Sequence, residues 1–358
     1  MGAASSSLSG ARVTVVESSL SRTVFGTAAD CAGCPSIGVK PTLISGGDVA
    51  CNSEANMLSE TLEPDRDPDR PKAWSWDEYE RAVVAQWTSM LETDPAESVV
   101  QRFLELHPAM IPGGSGDVGP GGHHGSEMSA VFREPRLSGA GRSFRPDFMW
   151  ITRSTGLVTP VLIEIEKPSK RWFQEGGRPT AAFRDAHDQL NEWRAWFGRS
   201  DNPGLFRERF LLEDQYVRRQ LRPHFVLIYG RRAEFEPGGG HEDPGSLLNK
   251  RDTQQHSDES FMTFDSLRPR HDHGSSVTVT MTANGPLSFA FSPVYGTGTH
   301  TLEDSVILGD PADALQRSAM MSDSRKAYLA ERWEHWRQIA LELAAGRRPV
   351  GPRSIGLE

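Results

Sequence analysis

The sequence predicts an α/β protein: a mixed β-sheet flanked by helices. Two observations carry this. First, apolar runs at Phe148–Ile151 and Val161–Ile165 flank Ser154-Thr155-Gly156, a turn signal, so residues 144–167 read as a β-hairpin. Second, a buried-strand run at 223–229 lies among segments with helical apolar spacing at 96–107 and 181–197. The 358 residues allow two domains by length. Residues 1–70 form a low-complexity segment, 71–270 a core domain, and 271–358 a C-terminal hairpin and long helix that pack on the core or on a partner subunit.

Residues 1–70 are rich in Ser, Gly, Ala, Asp and Pro and lack periodicity, so they read as largely disordered, with a short strand at Val13–Val16. Cys31 and Cys34, with Cys51 further on, are either ordinary thiols or part of a metal knuckle that lacks a fourth ligand nearby. Asp65 to Pro71 is a polar linker. Order begins near Trp74. Asp77 is the expected cap of a helix over 78–91. The next helix carries Val99, Val100, Phe103 and Leu104 as its apolar stripe. In its first turn, Glu97 is either an acid favoured by the helix dipole or a carboxylate aimed at a site. His123 and His124, in a Gly-rich loop, are solvated or metal-binding. A strand is expected over 128–135.

In the hairpin, alternation places Glu164 and Glu166 on one face with Leu162, while Val161, Ile163 and Ile165 take the other. Asp147 lies on the preceding strand, so a sheet gathers three carboxylates. They sit either on a solvated face or around a divalent cation, which removes their repulsion. After them, Lys170, Arg171, Trp172, Phe173 and Arg178 make a basic and aromatic loop. It is equally a phosphate-backbone contact with stacking or a lid whose aromatics pack on the core. Thr180 caps the helix over 181–197, whose buried stripe is Phe183, Ala186, Leu190, Trp193 and Phe197. Gln189 lies beside that stripe, and His187 reads as structural. Residues 237–245 are a loop, and 248–258 are helical or disordered. A second hairpin pairs 277–281 with 287–291 around Asn284-Gly285. A helix over 324–345 carries Tyr328, Leu329, Trp333, Trp336, Ile339 and Leu343.

Pro146-Asp147, followed by Glu164-Ile165-Glu166-Lys167, resembles the PD-(D/E)xK nuclease signature. Four further stretches occur in order: Glu97 to Pro108 (ESVVQRFLELHP), Pro179 to Ala182 (PTAA) with Gln189 to Trp193 (QLNEW), Val226 to Arg231 (VLIYGR), and Thr263 to Leu267 (TFDSL). Together they resemble the Shedu family of anti-phage nucleases over roughly residues 75–270. The resemblance implies a restriction-endonuclease-like core and a metal-dependent DNA endonuclease. Asp147, Glu164 and Glu97 would ligate Mg²⁺ or Mn²⁺, and Gln189 would join the active site. Lys170, Arg171 and Arg178 are the expected DNA contacts. One departure stands out. The family usually has Lys two residues after the motif Glu, and here that residue is Glu166, as base or second ligand. Lys167 points to the opposite face, and Lys170 or another cation would supply the missing charge. Two rival readings follow: a catalytically impaired member that binds DNA or a phage component, and a non-enzymatic scaffold.

Composition limits the alternatives. The net charge of −9 opposes nucleic-acid binding by bulk charge, though not a local basic groove. No apolar run approaches the ~20 residues that span a bilayer. Three cysteines and no evident signal peptide point to the cytoplasm. The tryptophans of the last helix and the resemblance together predict a homo-oligomer, a dimer or tetramer.

Overall fold

The computed structural model describes residues 70–119, 126–139, 141–210, 212, 218–298 and 300–346. The Val13–Val16 strand, the three cysteines, most of the polar linker and the His123–His124 pair lie outside the described residues.

The central hairpin consists of strands β2 (Phe148–Arg153) and β3 (Leu157–Ile165), paired antiparallel from Phe148↔Ile163 to Arg153↔Val158. Around it stand β1 (Ser126–Arg133), β4 (Gln220–Leu221), β5 (His224–Ile228), β6 (Glu259–Met262), β7 (Val277–Thr282) and β8 (Gly285–Phe291). They make one mixed sheet in the order β6-β5-β3-β2-β1-β7-β8, with the short β4 beside β3. The β3–β5, β5–β6 and β1–β7 pairings are parallel. The second hairpin, β7–β8, therefore extends the core sheet itself.

Each sheet face buries its own core because strand side chains alternate. One face presents Val161, Ile163, Ile165, Val226 and Ile228. It packs on helices α1 (Trp76–Glu92) and α2 (Glu97–Leu106), through Tyr79, Val83, Trp87, Val100 and Leu104. The other presents Met149, Ile151, Leu162, Phe225 and Leu227 to helix α3 (Ala181–Phe197). Thr180 caps α3, its hydroxyl accepting from the Phe183 N–H at 3.1 Å. Four shorter or later helices complete the described chain: α4 (Asn202–Arg209), α5 (Pro244–Gln254), α6 (Thr301–Ile307) and α7 (Ala312–Arg317), followed by the long α8 (Asp323–Ala344).

Several elements differ from the sequence reading. Helix α1 starts two residues before Glu78, because Ser75 and Glu78 form a reciprocal capping box that outcompetes Asp77. Val99 is exposed, and the buried side of α2 includes Glu105 instead, neutralised by Arg133 and Arg102. Residues 248–254 are the end of helix α5, which Asp243 caps. On α8, Leu343 is exposed, while Trp333 and Trp336 are buried within this chain. Those tryptophans are thus unavailable to a partner, and the expectation of an oligomer rests on the resemblance alone. Among the described residues, no helix is long and apolar enough to cross a membrane.

Candidate active site

The carboxylates gather at the end of the central hairpin. Asp147 immediately precedes β2 and continues its ladder: its N–H donates to the Ile163 carbonyl at 3.1 Å, and its carbonyl accepts from the Glu134 N–H at 2.7 Å. Asp147 Oδ2 accepts from the Ile165 N–H at 2.8 Å, so the strand beside it orients the carboxylate. Glu164, near the end of β3, faces α3. There Gln189 Nε2 donates to Glu164 Oε1 at 2.7 Å. Glu164 Oε2 is buried and has no hydrogen-bond partner. Glu166 lies one residue past β3, tied to β5 through its N–H on the Ile228 carbonyl at 3.1 Å. It pairs with Lys170, and its charge acts on Glu97, which lies in the first turn of α2.

The electrostatics follow from burial and crowding. Desolvation, followed by the Coulomb fields of Glu97, Glu166 and Glu134, raises Asp147 to about 7 against the pull of the Ile165 N–H. Desolvation also pushes Glu164 well above the ordinary carboxylate range. Asp147, Glu166 and Glu97 add to that effect, and the Gln189 amide opposes it. Glu97, although its surface is accessible, is raised by partial desolvation first and by Glu166 second. A buried acceptor without a donor is costly. The lone Oε2 of Glu164 beside Asp147 is therefore what a small cation with oxygen ligands would satisfy. Among the described residues, the group of three donor residues whose atoms all lie within 4.8 Å is a different one: His187, His256 and Glu259. The carboxylates around Asp147 stand less tightly than that.

The basic and aromatic loop after Glu166 is fixed to the core. Trp172 and Phe173 are fully buried, so the stacking interpretation gives way to packing. The loop backbone is held by Glu234, whose carboxylate accepts from the N–H groups of Trp172 and Phe173, each at 2.9 Å. Gly230, at φ +60°, lets the loop close onto β5; a Cβ there would stand 2.7 Å from the Lys170 carbonyl. Lys170 is consequently drawn to Glu166. Arg171 spends its guanidinium on the Gly239 carbonyl and His241, and Arg178 stays exposed. Lys167 points away and pairs with Asp94 at 2.8 Å.

Two contributors escaped the sequence reading. Glu134, at φ +44°, turns the chain at the end of β1 and adds its charge beside Asp147. Arg231 ties to Asp265 at 2.8 Å and to the Leu91 carbonyl, which joins the stretches around 226–231 and 263–267 to α1. Glu134 follows a β-strand directly, and nothing in its spacing marks it.

A mixed sheet with a half-buried acidic cluster at a hairpin end defines an α/β protein with a candidate functional site. Residues 94–268, a little under half of the chain, match the family model described as Shedu protein SduA, C-terminal, which places that region in the Shedu family. No curated protein and no solved structure matches the chain.

Proposed function

We propose that the protein is a divalent-metal-dependent DNA endonuclease of the PD-(D/E)xK type. Its family suggests a setting in anti-phage defence. The observation that carries the reading is the Asp147–Glu164 pair: half-buried, raised in pKa, and with one buried Glu164 oxygen lacking a donor. Asp147 and Glu164 would hold Mg²⁺ or Mn²⁺, with Glu97 as a further ligand. Such an ion supplies charge stabilisation at a scissile phosphate and a more acidic water. Gln189 holds Glu164 by a neutral amide, which orients the carboxylate without neutralising it. Glu166 serves as proton acceptor for the attacking water or as a second ligand. Lys170, ion-paired to Glu166, would supply the charge that the strand lysine would have brought. DNA would approach past Lys170 and the exposed Arg178.

The replacement of that strand lysine by Glu166 favours a second reading, a member that binds DNA or a phage component without cutting. Plasmid cleavage in Mg²⁺ or Mn²⁺, compared with EDTA, separates the two. We expect nicking or linearisation that Asp147→Ala reduces on the order of 10³-fold or more. A wild type inert with both ions, yet retarding DNA in a gel, would establish the second reading. Equal cleavage by wild type and Asp147→Ala would remove this site from the chemistry.

A further inference from the structure

A second cluster of ligating side chains lies on the same helix as Gln189, on the way to the sheet edge. His187, on α3, puts Nε2 3.0 Å from Glu259 Oε2. His256, from the turn before β6, puts Nδ1 3.4 Å from Glu259 Oε1. One atom from each of the three residues lies within 4.8 Å of the other two. A tetrahedral zinc with bonds of about 2.0–2.2 Å holds its ligand atoms roughly 3.3 Å apart, so small side-chain rotations would bring these three onto one ion.

We propose that His187, His256 and Glu259 form a binding site for a borderline transition-metal ion of the Zn²⁺ class, clamping α3 to edge strand β6. The donor set decides the class: two imidazoles and one carboxylate suit Zn²⁺, Co²⁺ or Ni²⁺, whereas Mg²⁺ takes oxygen ligands. The site is therefore chemically distinct from the acidic cluster. Its parts are set from outside. Arg194 grips Glu259 and, at 2.8 Å, Asp258, so the carboxylate is held in place by a partner that is not itself a ligand. The Glu259 side chain is buried and that of His187 nearly so, while His256 is half-exposed. The open side at His256 is an entry path and leaves a position for water as fourth ligand. The clamp joins segments 72 residues apart in the chain. It also secures the one sheet edge formed by a four-residue strand.

The test uses the full chain, stripped with EDTA and titrated with Co²⁺ and then Zn²⁺. We expect one Co²⁺ to bind with visible ligand-field bands of nitrogen and oxygen ligation, without the sulfur charge-transfer band that Cys31, Cys34 or Cys51 would produce. Zn²⁺ should displace it and raise the melting temperature. His256→Ala should weaken Co²⁺ binding at least about 100-fold and abolish the Zn²⁺-dependent rise, and His187→Gln should do the same. Asp147→Asn should leave both unchanged, which separates this site from the proposed catalytic one. If His187→Gln fails to fold, the half-exposed His256 carries the test. The proposal is overturned if wild type shows no nitrogen-ligated Co²⁺ bands at micromolar concentration, if those bands persist in His256→Ala, or if the spectrum shows thiolate ligation. In those cases His187 and His256 are plain hydrogen-bond partners of Glu259.

Discussion

Glu164 and Glu259 stand on strands of one sheet, on the face that α3 covers, with β5 between them. Both are desolvated, yet their carboxyl groups move in opposite directions. Burial pushes both upward. At Glu259, hydrogen bonds from His187, the His256 N–H and Arg194 outweigh it and bring the group down to about 2. At Glu164, the helix offers only the Gln189 amide, and three further carboxylates crowd in, so the group rises. The same helix thus supplies cationic partners at one acid and a neutral partner at the other. Buried charge matched by the fold is a structural element. Buried charge left unmatched is held at a cost to stability, and it marks where something outside the chain completes the balance.

The largest effects should come from removing each acid. Glu259→Ala removes the buried carboxylate that His187, His256 and Arg194 share, although Arg194 keeps Asp258, and should cost on the order of 3 kcal/mol in urea unfolding. Glu164→Gln removes repulsion while keeping shape, and should leave metal-free stability equal or higher. A Glu164→Gln loss exceeding that of Glu259→Ala would break the contrast.

The pH dependence sharpens it. Asp147 binds its proton more tightly folded than unfolded, with its pKa raised from 3.8 to about 7. Its contribution is most favourable at low pH and is lost as pH rises through that window, by at most about 4 kcal/mol. Glu259, depressed from 4.5 to about 2, acts the other way: its stabilisation is present above pH 4.5 and lost as pH falls toward 2. Metal-free protein should therefore be most stable near pH 5 and weaker at pH 8. Mg²⁺ should recover stability at pH 8 but add little at pH 5, and Asp147→Asn should flatten the alkaline limb. A metal-free curve that climbs steadily from pH 5 to 8, unchanged by Asp147→Asn, would contradict the assignment.

The smallest expected effect is at Gln189. Gln189→Ala removes the donor that orients Glu164 and should lower Mg²⁺-dependent cleavage about 10–100-fold, as losses of ligand-orienting groups do. Unfolding should change by less than about 1.5 kcal/mol, because the bond is a single neutral one. Unaltered cleavage would leave Gln189 a packing residue.

What the chain determined by itself was periodic and local. The hairpin turn at 154–156, the Thr180 cap, the stripe of α3 and the alternation that puts Glu164 opposite Ile163 and Ile165 all depend on neighbours within a turn or a pleat. The ordered short stretches from Glu97 to Leu267 were likewise legible as a family pattern. Tertiary structure decided the rest. Two cap-forming residues, Ser75 and Asp77, competed for one helix start, and the reciprocal bond of Glu78 chose Ser75. Trp172 and Phe173 became core because Glu234, some sixty residues later, holds their backbone. Trp333 turned inward because Phe291 of β8 was there to receive it. Lys170 reaches Glu166 from four residues away, a local pair, whereas His187 met His256 and Glu259 only when the sheet order brought their segments together. Sequence spacing encodes which face a side chain takes. Which partner waits on that face is fixed by close packing of distant segments, and no local period records it.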